Sequence, residues 1–596
     1  MPKKLLPVFF VLCGILAGVS AAGCSGKGGS TMTFVSPSGK KITLNAKTDA
    51  QLSMMRAVRI TDETIWKYVN YDNWINYGTV DPVARYNPST HTKSGGSYNA
   101  FEYTQIIEML IAGMKALDAA RDLPGASPLW QEMFDYYEGI LWGAFDNLEF
   151  YMGFTRVASS TRVNRRWDQV IGVPRRGSRN YMENDVGGTL TVYDDQMWLI
   201  RALLESYFLL DKESGRAGGN ERLDELKQRK TRYLEYATYL AIFTLDGYDQ
   251  SFRDDNNPSL GRWGGVPWGP WYGTKHACSN GPFISPLVWL HEIYSKEGFE
   301  ATFTSPFLIK ILFDDRPPAG GYPASLTVSS SSEIAWRERL PGTGSADSLV
   351  RSRSVPLKDF FLEYALGVYN FTVEAFMRGD GVFGDMRGGT ASSDGPPRSR
   401  LHGNLVTYTG LGDLVGSVYT YNTGSPLSGI IDLYRVMSEK TGSENEALAL
   451  KLREQAVKIA DASFAYFADP NVKEGFYRFP QGVTGKADFD SILLRAWTAL
   501  VVYDIYPEAI RFINEFARTL NYGYDNFLVD GFLPVDHLSG WNPELVDTNS
   551  HGARDDVDVP NLRTFNYAAQ FSWIALAKFS TETAAEVLPE STTLPP

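Results

Sequence analysis

The chain has 596 residues, of which 43% are hydrophobic and 21% charged, a composition typical of a globular protein with a large apolar core. Its formal net charge is −12, with 57 Lys and Arg against 69 Asp and Glu, so no basic stripe is available for a polyanion and nucleic acid is excluded as an expected partner. Aromatic residues make up 13%, and many lie in Gly- and Pro-rich loops, where they either pack the loops onto a scaffold or bind flat ligands such as sugars.

The first 23 residues have the pattern of a secretory signal peptide. Two lysines precede an apolar run over 5–19, which is too short to span a membrane as a helix. Small residues then end directly at Cys24, as at a bacterial lipoprotein processing site, so we expect Cys24 to carry a lipid; ordinary cleavage after Ala22 is the alternative. Residues 24–47 are predicted to be a flexible tether. The sequence therefore predicts an exported protein, anchored to the outer membrane or cell surface through Cys24 and otherwise periplasmic or secreted.

About a dozen helical patterns follow, separated by loops of very unequal length, and period-2 strand signals are scarce. A Gly/Trp-rich loop over 247–275 and a polar Pro/Ser/Gly stretch over 314–356, predicted to be a surface insertion, interrupt them. The predicted helices are 50–71, 100–121, 128–150, 194–210, 221–244, 276–294, 306–312, 357–377, 426–440, 444–468, 489–503, 508–520 and 565–579.

The alternation of helix, helix and long loop favours a closed ring of helical hairpins, an all-α architecture. Such a ring gathers its long loops on one face, where a cleft can form. We expect a single domain over 48–585, a disordered tail over 586–596 and a monomer.

Adjacent Asp-Asp pairs occur four times, so the pair alone is a weak signal. The pairs at 254–255, 314–315 and 555–556 lie in polar or charged stretches typical of solvated turns, with calcium binding as the alternative. Asp194 and Asp195 differ, because aromatic residues flank them and a strongly apolar helix follows. Two acids at the head of such a helix are costly to bury without a purpose.

Two interpretations of this pair stay open on the residues alone. Asp194 can be a helix N-cap, with Asp195 favoured by the helix dipole. Alternatively, because neighbours on a helix point about 100° apart, both carboxylates can enter one pocket from different directions. One carboxylate then stays ionised while apolar contacts and its neighbour's charge keep the other protonated, which is the pairing that glycoside hydrolysis requires.

Five stretches that occur in order between about 190 and 500 carry a family resemblance. The first is Tyr193-Asp194-Asp195-Gln196-Met197-Trp198, which continues into an apolar helix and Lys212-Glu213-Ser214-Gly215. The others are 264–268, 275–282, 419–429 and, more loosely, 489–497. Taken together, they resemble glycoside hydrolase family 76, the endo-α-1,6-mannanases.

The resemblance implies an (α/α)6 barrel and a retaining mechanism, with Asp194 as the nucleophile and Asp195 as the general acid/base. It implies α-mannan or a mannose-containing oligosaccharide as the substrate. The sequence departs from the family pattern at Val266-Pro267, where a second aromatic residue is expected, and in its long loops over 314–356 and 380–420. These differences bear on substrate length and branching more than on the reaction.

Residues around the pair are candidates for sugar binding. Aromatic residues of the 264–275 loop can stack on sugar rings or pack within the loop. Two asparagines at loop-to-helix junctions can bind sugar hydroxyls or cap the helices. The predicted substrate-binding set is Tyr193, Trp198, Trp268, Trp271, Tyr272, Asn280, Tyr421 and Asn422.

No metal or cofactor is predicted, since the six histidines show no metal-ligand spacing. With Cys13 in the signal peptide and Cys24 acylated, Cys278 stays alone in the folded body, so no intrachain disulfide is expected and no partner base can be assigned to the thiol. Asp385 and Asp490 cannot be separated from surface acids.

Two other functions stay open. Helical rings host many sugar chemistries, so an unsaturated-uronide hydrolase or an epimerase is one alternative. Its acidic substrate would require basic residues near Asp195, for which the candidates are Arg162, Arg165, Arg166, Arg175, Arg176 and Arg179. The second alternative is a glycan-binding lipoprotein without turnover, against which the presence of both Asp194 and Asp195 argues.

Overall fold

The structure is a computed structural model. It describes residues 30–69, 84–87, 92–95, 100–146, 148, 151–158, 164–170, 182–183, 192–216, 221–250, 264–270, 272, 274–313, 316–340, 350–387, 413–473, 476–478, 487–528 and 562–582.

Thirteen α-helices lie within these described ranges. They are α1 (Asp49–Tyr68), α2 (Ala100–Arg121), α3 (Leu129–Asp146), α4 (Tyr193–Arg216), α5 (Glu221–Asp246), α6 (Gly281–Ser295), α7 (Pro306–Leu312), α8 (Leu357–Phe376), α9 (Thr420–Ser438), α10 (Ser443–Phe467), α11 (Ala487–Val502), α12 (Ile510–Phe527) and α13 (Leu562–Thr581). In this part of the chain, no helix is both long enough and apolar enough to cross a bilayer.

The described strands are short and pair in small sheets of two or three strands. They are β1 (Thr31–Val35), β2 (Lys41–Asn45), β3 (Ala84–Asn87), β4 (Thr92–Gly95), β5 (Met152–Ala158), β6 (Asn164–Val170), β7 (Met182–Glu183), β8 (Lys275–His276), β9 (Glu300–Phe303), β10 (Leu326–Ser329), β11 (Glu333–Arg339), β12 (Val350–Pro356), β13 (Met386–Arg387), β14 (Leu414–Val415), β15 (Asp469–Lys473) and β16 (Phe476–Arg478).

The helices form two concentric rings. In the inner ring, α2 contacts α4, and the contacts continue through α6, α9, α11 and α13 back to α2. Behind them, α3 packs on α2, α5 on α4, α8 on α6, α10 on α9, α12 on α11, and α1 on α13. Apart from the short α7, successive helices alternate between the two rings, so the chain folds as an (α/α)6 barrel, and the predicted fold is confirmed.

The ring closes where its last helix meets its first. Helix α13 packs against both α1 and α2. At the end of this contact, Lys578 Nζ lies 3.0 Å from Asp49 Oδ2, and the Ala50 amide donates to Glu582 Oε1 at 3.2 Å. The two ends of the barrel sequence therefore meet at the same place.

Close approach between inner helices depends on small residues. A Cβ atom on Gly424 of α9 would lie 2.6 Å from the Leu493 Cα atom of α11, a backbone atom that cannot move aside cheaply. Glycine at this position lets the two helix backbones approach closely.

Helical periodicity predicts the existence of the helices better than their ends. The pattern places 100–121 and 306–312 as the structure has them, but predicts that α9 begins at 426, whereas it begins at Thr420. Pro426 fits the first position of a helix, which motivates the predicted start, but here it lies inside the helix.

The predicted tether over 24–47 is wrong for its second part. Residues 31–45 form an antiparallel hairpin of β1 and β2, with Thr31 opposite Asn45. Phe34 is buried, and its ring contacts Trp130 edge-on at the start of α3. Met32, Ile42 and Leu44 also pack against the core, and the Ser38 hydroxyl of the turn donates to Glu132 Oε2 of α3 at 3.0 Å. The predicted signal peptide, Cys24 and the tail over 586–596 lie outside the described residues.

The stretch over 314–356 contains an antiparallel hairpin of β11 and β12 that packs on the outer helix α8. Ile334 and Trp336 of β11 are buried, and the Trp336 indole donates to the Tyr364 hydroxyl of α8 at 2.8 Å. The polar composition of this stretch conceals these contacts.

Candidate active site

The candidate site lies at one end of the barrel, where the amino-terminal ends of several inner helices meet. Asp194 and Asp195 lie in the first turn of α4. Cys278 lies in a 3-10 turn that leads into α6, and Tyr421 lies in the first turn of α9. The alternation of inner and outer helices makes the inner helices parallel, so their starts gather on one face.

A backbone hydrogen bond attaches the Trp268 loop to the start of α4. The Tyr193 amide donates to the Trp268 carbonyl at 2.7 Å. The Tyr193 side chain points away from the site and is fully buried, with its ring 5.2 Å from that of Phe243 in α5. Packing between α4 and α5 thus occupies the Tyr193 ring, and the predicted contact of Tyr193 with substrate stays a prediction.

A buried ion pair holds the same loop from the other side. Lys275 Nζ donates to Asp249 Oδ2 at 2.7 Å and to the Gly264 carbonyl at 2.6 Å. Gly265 has a φ of +70°, and a Cβ atom there would lie 2.2 Å from the Phe371 ring. The turn thus requires glycine, and this part of the loop is fixed so that Trp268 lies beside Asp194.

The Asn280 side chain bonds to backbone groups of the loop. Its Oδ1 accepts from the Val266 amide at 2.7 Å, and its Nδ2 donates to the carbonyls of Val266 at 2.9 Å and His276 at 2.8 Å. The residue is 0% exposed. Backbone groups use both ends of its amide, which favours the structural role that the sequence left open, and sugar binding by Asn280 stays a prediction.

Trp268 belongs to an aromatic cluster beside Asp194. Its ring lies 5.0 Å from His276 in a stacked arrangement and 4.7 Å from Tyr272. Its Nε1 donates to Asp194 Oδ2 at 3.3 Å. Burial lowers the pKa of His276 to about 4, so the imidazole is neutral near pH 7. Trp271, also predicted to bind substrate, lies outside the described residues.

The two aspartates have different surroundings. Asp194 accepts hydrogen bonds from the Cys278 thiol, from the Trp268 indole and, at Oδ1, from the Asp195 amide at 3.0 Å. Burial raises the pKa of Asp194 to about 6, and these donors oppose the rise. Asp195 is 9% exposed, and burial, followed by the charge of Asp194, raises its pKa well above the usual range. Near neutral pH, Asp194 is therefore ionised and Asp195 protonated.

Cys278 connects this pair to a third carboxylate. Burial and the charges of Asp194 and Asp385 raise the pKa of the thiol, which keeps it a neutral donor. Asp385 Oδ1 accepts from Asn422 Nδ2 at 3.0 Å and from the Tyr421 hydroxyl at the long distance of 3.5 Å. Asn422 is fully buried and positions Asp385 through its Nδ2, and its predicted contact with substrate stays a prediction.

Aromatic rings also line the side of the site near α9. Tyr421 stacks on Tyr419 with ring centres 5.5 Å apart and lies 4.2 Å from Phe489 of α11. Carboxylates between two aromatic clusters suit a neutral, hydroxyl-rich ligand with flat apolar faces.

Trp198 lies deeper, one turn further along α4. It is 5% exposed, and the guanidinium of Arg495 lies 5.9 Å from its ring centre. The side chain is largely enclosed by the barrel, and the predicted contact of Trp198 with substrate stays a prediction.

Below Trp198 lies a group that we call the interior ion cluster. Arg495 pairs with Glu108 at 3.0 Å, and Glu205 pairs with Arg201 at 2.9 Å and with Lys115 at 3.1 Å. The cluster joins α2, α4 and α11 through the centre of the barrel.

Sequence reasoning missed Asp385, Cys278 and His276 as members of the site. Asp385 has no apolar helix or aromatic flank to distinguish it, and it reaches the site only because β13 pairs with β8. Among the described residues, no group of three or more His, Cys, Asp or Glu is arranged to hold a metal. Of the candidate arginines, the side chains of Arg165 and Arg166 and all atoms of the other four lie outside the described part of the chain.

Comparison with known proteins supports the fold. No protein-family model matches the sequence, and no curated protein matches it. A family 76 glycoside hydrolase, a mannosidase from Bacteroides thetaiotaomicron VPI-5482, is similar in structure with a TM-score of 0.51 and 14% identity over 89% of this chain and 100% of that one. A family 76 glycoside hydrolase from a bovine Bacteroides thetaiotaomicron strain gives a TM-score of 0.53 and 15% identity over 90% of this chain and 81% of that one. The expected family 76 resemblance is thus confirmed at the level of the fold.

Proposed function

We propose that this protein is a retaining glycoside hydrolase that cleaves α-1,6-mannosidic linkages in α-mannan. The observation that carries the proposal is the difference between two adjacent carboxylates in one site. Three donors favour the charged form of Asp194, whereas burial and the charge of Asp194 keep Asp195 protonated. A nucleophile and an acid held side by side are the two groups that double displacement requires.

Each group acts twice in this mechanism. Asp194 attacks the anomeric carbon and forms a glycosyl ester, while the glycosidic bond breaks and Asp195 gives its proton to the departing oxygen. Asp195, now a carboxylate, then takes a proton from water, whose oxygen attacks the anomeric carbon and releases Asp194. The proton on Asp195 is restored at the end of the cycle.

Three observations support mannose as the sugar. The stretches around the site resemble those of the endo-α-1,6-mannanases, and one structural neighbour is described as a mannosidase. The described side chains that meet at the site are carboxylates, neutral donors and aromatic rings, which suit an uncharged sugar better than a uronide.

Replacing each aspartate tests the proposal. Asp194→Asn and Asp195→Asn should each abolish release of oligosaccharides from unbranched α-1,6-mannan without lowering the melting temperature. Asp224→Asn, at an exposed position of α5, is the matched control and should retain full activity. Full activity in either site variant would sink the assignment, and release of unsaturated uronides by the wild type would favour the alternative enzyme class.

An added anion separates the two roles. With an activated aryl α-mannoside, azide should rescue Asp195→Ala and give the α-mannosyl azide, because azide attacks the glycosyl ester from the face opposite Asp194. Azide should rescue Asp194→Ala by taking the place of the carboxylate, which gives the β-mannosyl azide. NMR of the products decides the outcome, and the opposite pairing of variant and anomer would exchange the roles.

We also propose that the protein is exported, attached to a membrane through a lipid on Cys24, and monomeric. The apolar run over 5–19 and the small residues before Cys24 support the export and the attachment. Labelled palmitate should enter the protein in the native host and not its Cys24→Ala variant. Labelling of the variant would contradict this attachment.

A further inference from the structure

We infer that Asp385 is a substrate-binding residue whose carboxylate accepts hydrogen bonds from hydroxyl groups of the neutral sugar that reacts with Asp194. This inference rests on the proposed function and adds a specificity determinant to it.

Backbone pairing fixes the position of Asp385 beside the reacting pair. Met386 pairs with His276 across β13 and β8, and the Ala277 amide donates to the Asp385 carbonyl at 2.7 Å. The next residue, Cys278, donates its thiol to Asp194 and is influenced by the charge of Asp385. Asp385 and Asp194 thus lie on either side of one cysteine.

One oxygen of the Asp385 carboxylate is held and the other is available. Oδ1 accepts from Asn422 Nδ2 at 3.0 Å and from the Tyr421 hydroxyl at 3.5 Å. Among the described residues, no group donates to Oδ2, and no cation pairs with either oxygen. The side chain is half-buried, and Oδ2 lies on the side of Gly416, where a glycine without a Cβ atom leaves room beside this oxygen for a ligand hydroxyl.

The residue is also held rigidly. Gly416 has a φ of +92°, and a Cβ atom there would lie 2.7 Å from the Cβ atom of Asp385. The turn after β14 therefore packs directly on the carboxylate. A rigid acceptor loses little conformational entropy when a ligand binds, which favours tight positioning of the sugar.

The chemistry of the ligand follows from the charges. Within the described part of the chain, this half-buried carboxylate has only neutral donors and is incompletely satisfied, and sugar hydroxyls would supply further donors. Asp194 and Asp385 together disfavour a sugar that carries its own carboxylate. The preferred ligand is therefore a neutral pyranose with free hydroxyls.

Combined changes in enzyme and substrate test the inference. Asp385→Ala should lower kcat/KM on an aryl α-1,6-mannobioside by roughly 10- to 100-fold, as expected for a lost hydrogen bond to a charged group. For the wild type, kcat/KM on one or two substrate analogues that lack a single hydroxyl group on the reacting ring should be lower than on the parent substrate by a similar factor. For Asp385→Ala, kcat/KM on the same analogues should be little lower than on the parent substrate, because the carboxylate that binds the missing hydroxyl group is already absent.

Two further variants keep this test interpretable. Asp385→Asn preserves the shape of the side chain and should leave the melting temperature unchanged. As in Asp385→Ala, removing the hydroxyl group from the substrate should then lower kcat/KM little further. Asp380→Asn, an exposed acid in the preceding turn, should leave all rates unchanged.

The outcomes separate the two proposals. Suppose that the wild type turns over the mannosides, but that for every deoxy analogue the reduction in kcat/KM is the same in Asp385→Ala as in the wild type. The inference is then overturned, and the proposed glycosidase activity stands. If the wild type turns over no mannoside, the proposed function fails, and the inference fails with it.

Discussion

At the scale of single residues, the most important feature is that the two neighbouring carboxyl groups have different surroundings. Asp194 gains three hydrogen-bond donors, one of them the backbone amide of Asp195 itself. For Asp195, burial and the charge of Asp194 raise the pKa of the carboxyl group. In the proposed mechanism, one position along the helix therefore separates the nucleophile from the acid.

This difference predicts a bell-shaped dependence of kcat/KM on pH. Asp194 must be ionised, and its pKa is raised to about 6, so the rate should fall as the pH drops below about 6. Asp195 must be protonated, and its pKa is raised well above the usual range, so the rate should fall where it loses its proton on the alkaline side. Initial rates on an aryl α-mannobioside across pH check both limbs. A rate that stays constant from pH 6 down to pH 4 would contradict the role of Asp194.

The Cys278 thiol should set the position of the acid limb. As a neutral donor, it favours the charged form of Asp194 and so lowers the pKa of that carboxyl. Cys278→Ala removes the donor and should move the acid limb to higher pH, whereas Cys278→Ser keeps a donor and should move it less or in the opposite direction. An acid limb that stays in place in Cys278→Ala, with the fold intact, would show that the thiol has no such effect.

The sequence identifies the pair but not its surroundings. Asp194 and Asp195 stand out because an apolar helix follows them, a signal that lies within a few residues. Asp385 and Cys278 have no comparable local signal, since strand pairing and ring closure bring them together. Polarity also misleads, because Asn280 and Asn422 have the residue type of a sugar ligand but satisfy buried groups of the protein.

At the scale of elements, packing between inner helices places the starts of α9 and α11 beside the site. Gly424 makes the approach of these helices possible. Gly424→Ala should destabilise the fold by roughly 1–3 kcal/mol, because the added Cβ atom meets backbone and not a mobile side chain. Thermal unfolding would measure the change.

Gly139→Ala in α3 is the matched control for this prediction. This glycine is exposed, and a Cβ atom there would meet nothing within 4 Å. Alanine should stabilise the helix by up to about 1 kcal/mol through its higher helix propensity. Equal shifts in melting temperature for the two variants would contradict the role of the close approach at Gly424.

Helices are easier to predict than hairpins in this chain for a physical reason. A helix satisfies its backbone within one segment, so its apolar period is visible in one stretch of sequence. The β11–β12 hairpin depends on contacts with α8, and β1–β2 depends on contacts with α3 that include Phe34 against Trp130 and Ser38 with Glu132. Neither signal lies within the segment that forms the strands.

At the scale of the whole molecule, charge as well as apolar packing joins the inner ring. The interior ion cluster connects α2, α4 and α11, and its members are mostly buried. Burial raises the pKa of Glu108, whereas the cations around Glu205 lower the pKa of that carboxyl to about 2, against the effect of its burial. Buried charges of this kind are tolerated when they are paired, and the Arg495–Glu108 pair joins α11 to α2, which is not its neighbour in the inner ring.

The closure of α13 on α1 also determines how the molecule faces its surroundings. The site lies where inner helices begin, whereas Asp49 and Glu582 meet where α13 ends and the outer helix α1 begins. The β1–β2 hairpin contacts the start of the outer helix α3, on that same side. The site therefore opens on the side opposite to residue 30, so the proposed attachment ahead of that residue would leave the site accessible to the proposed polymeric substrate.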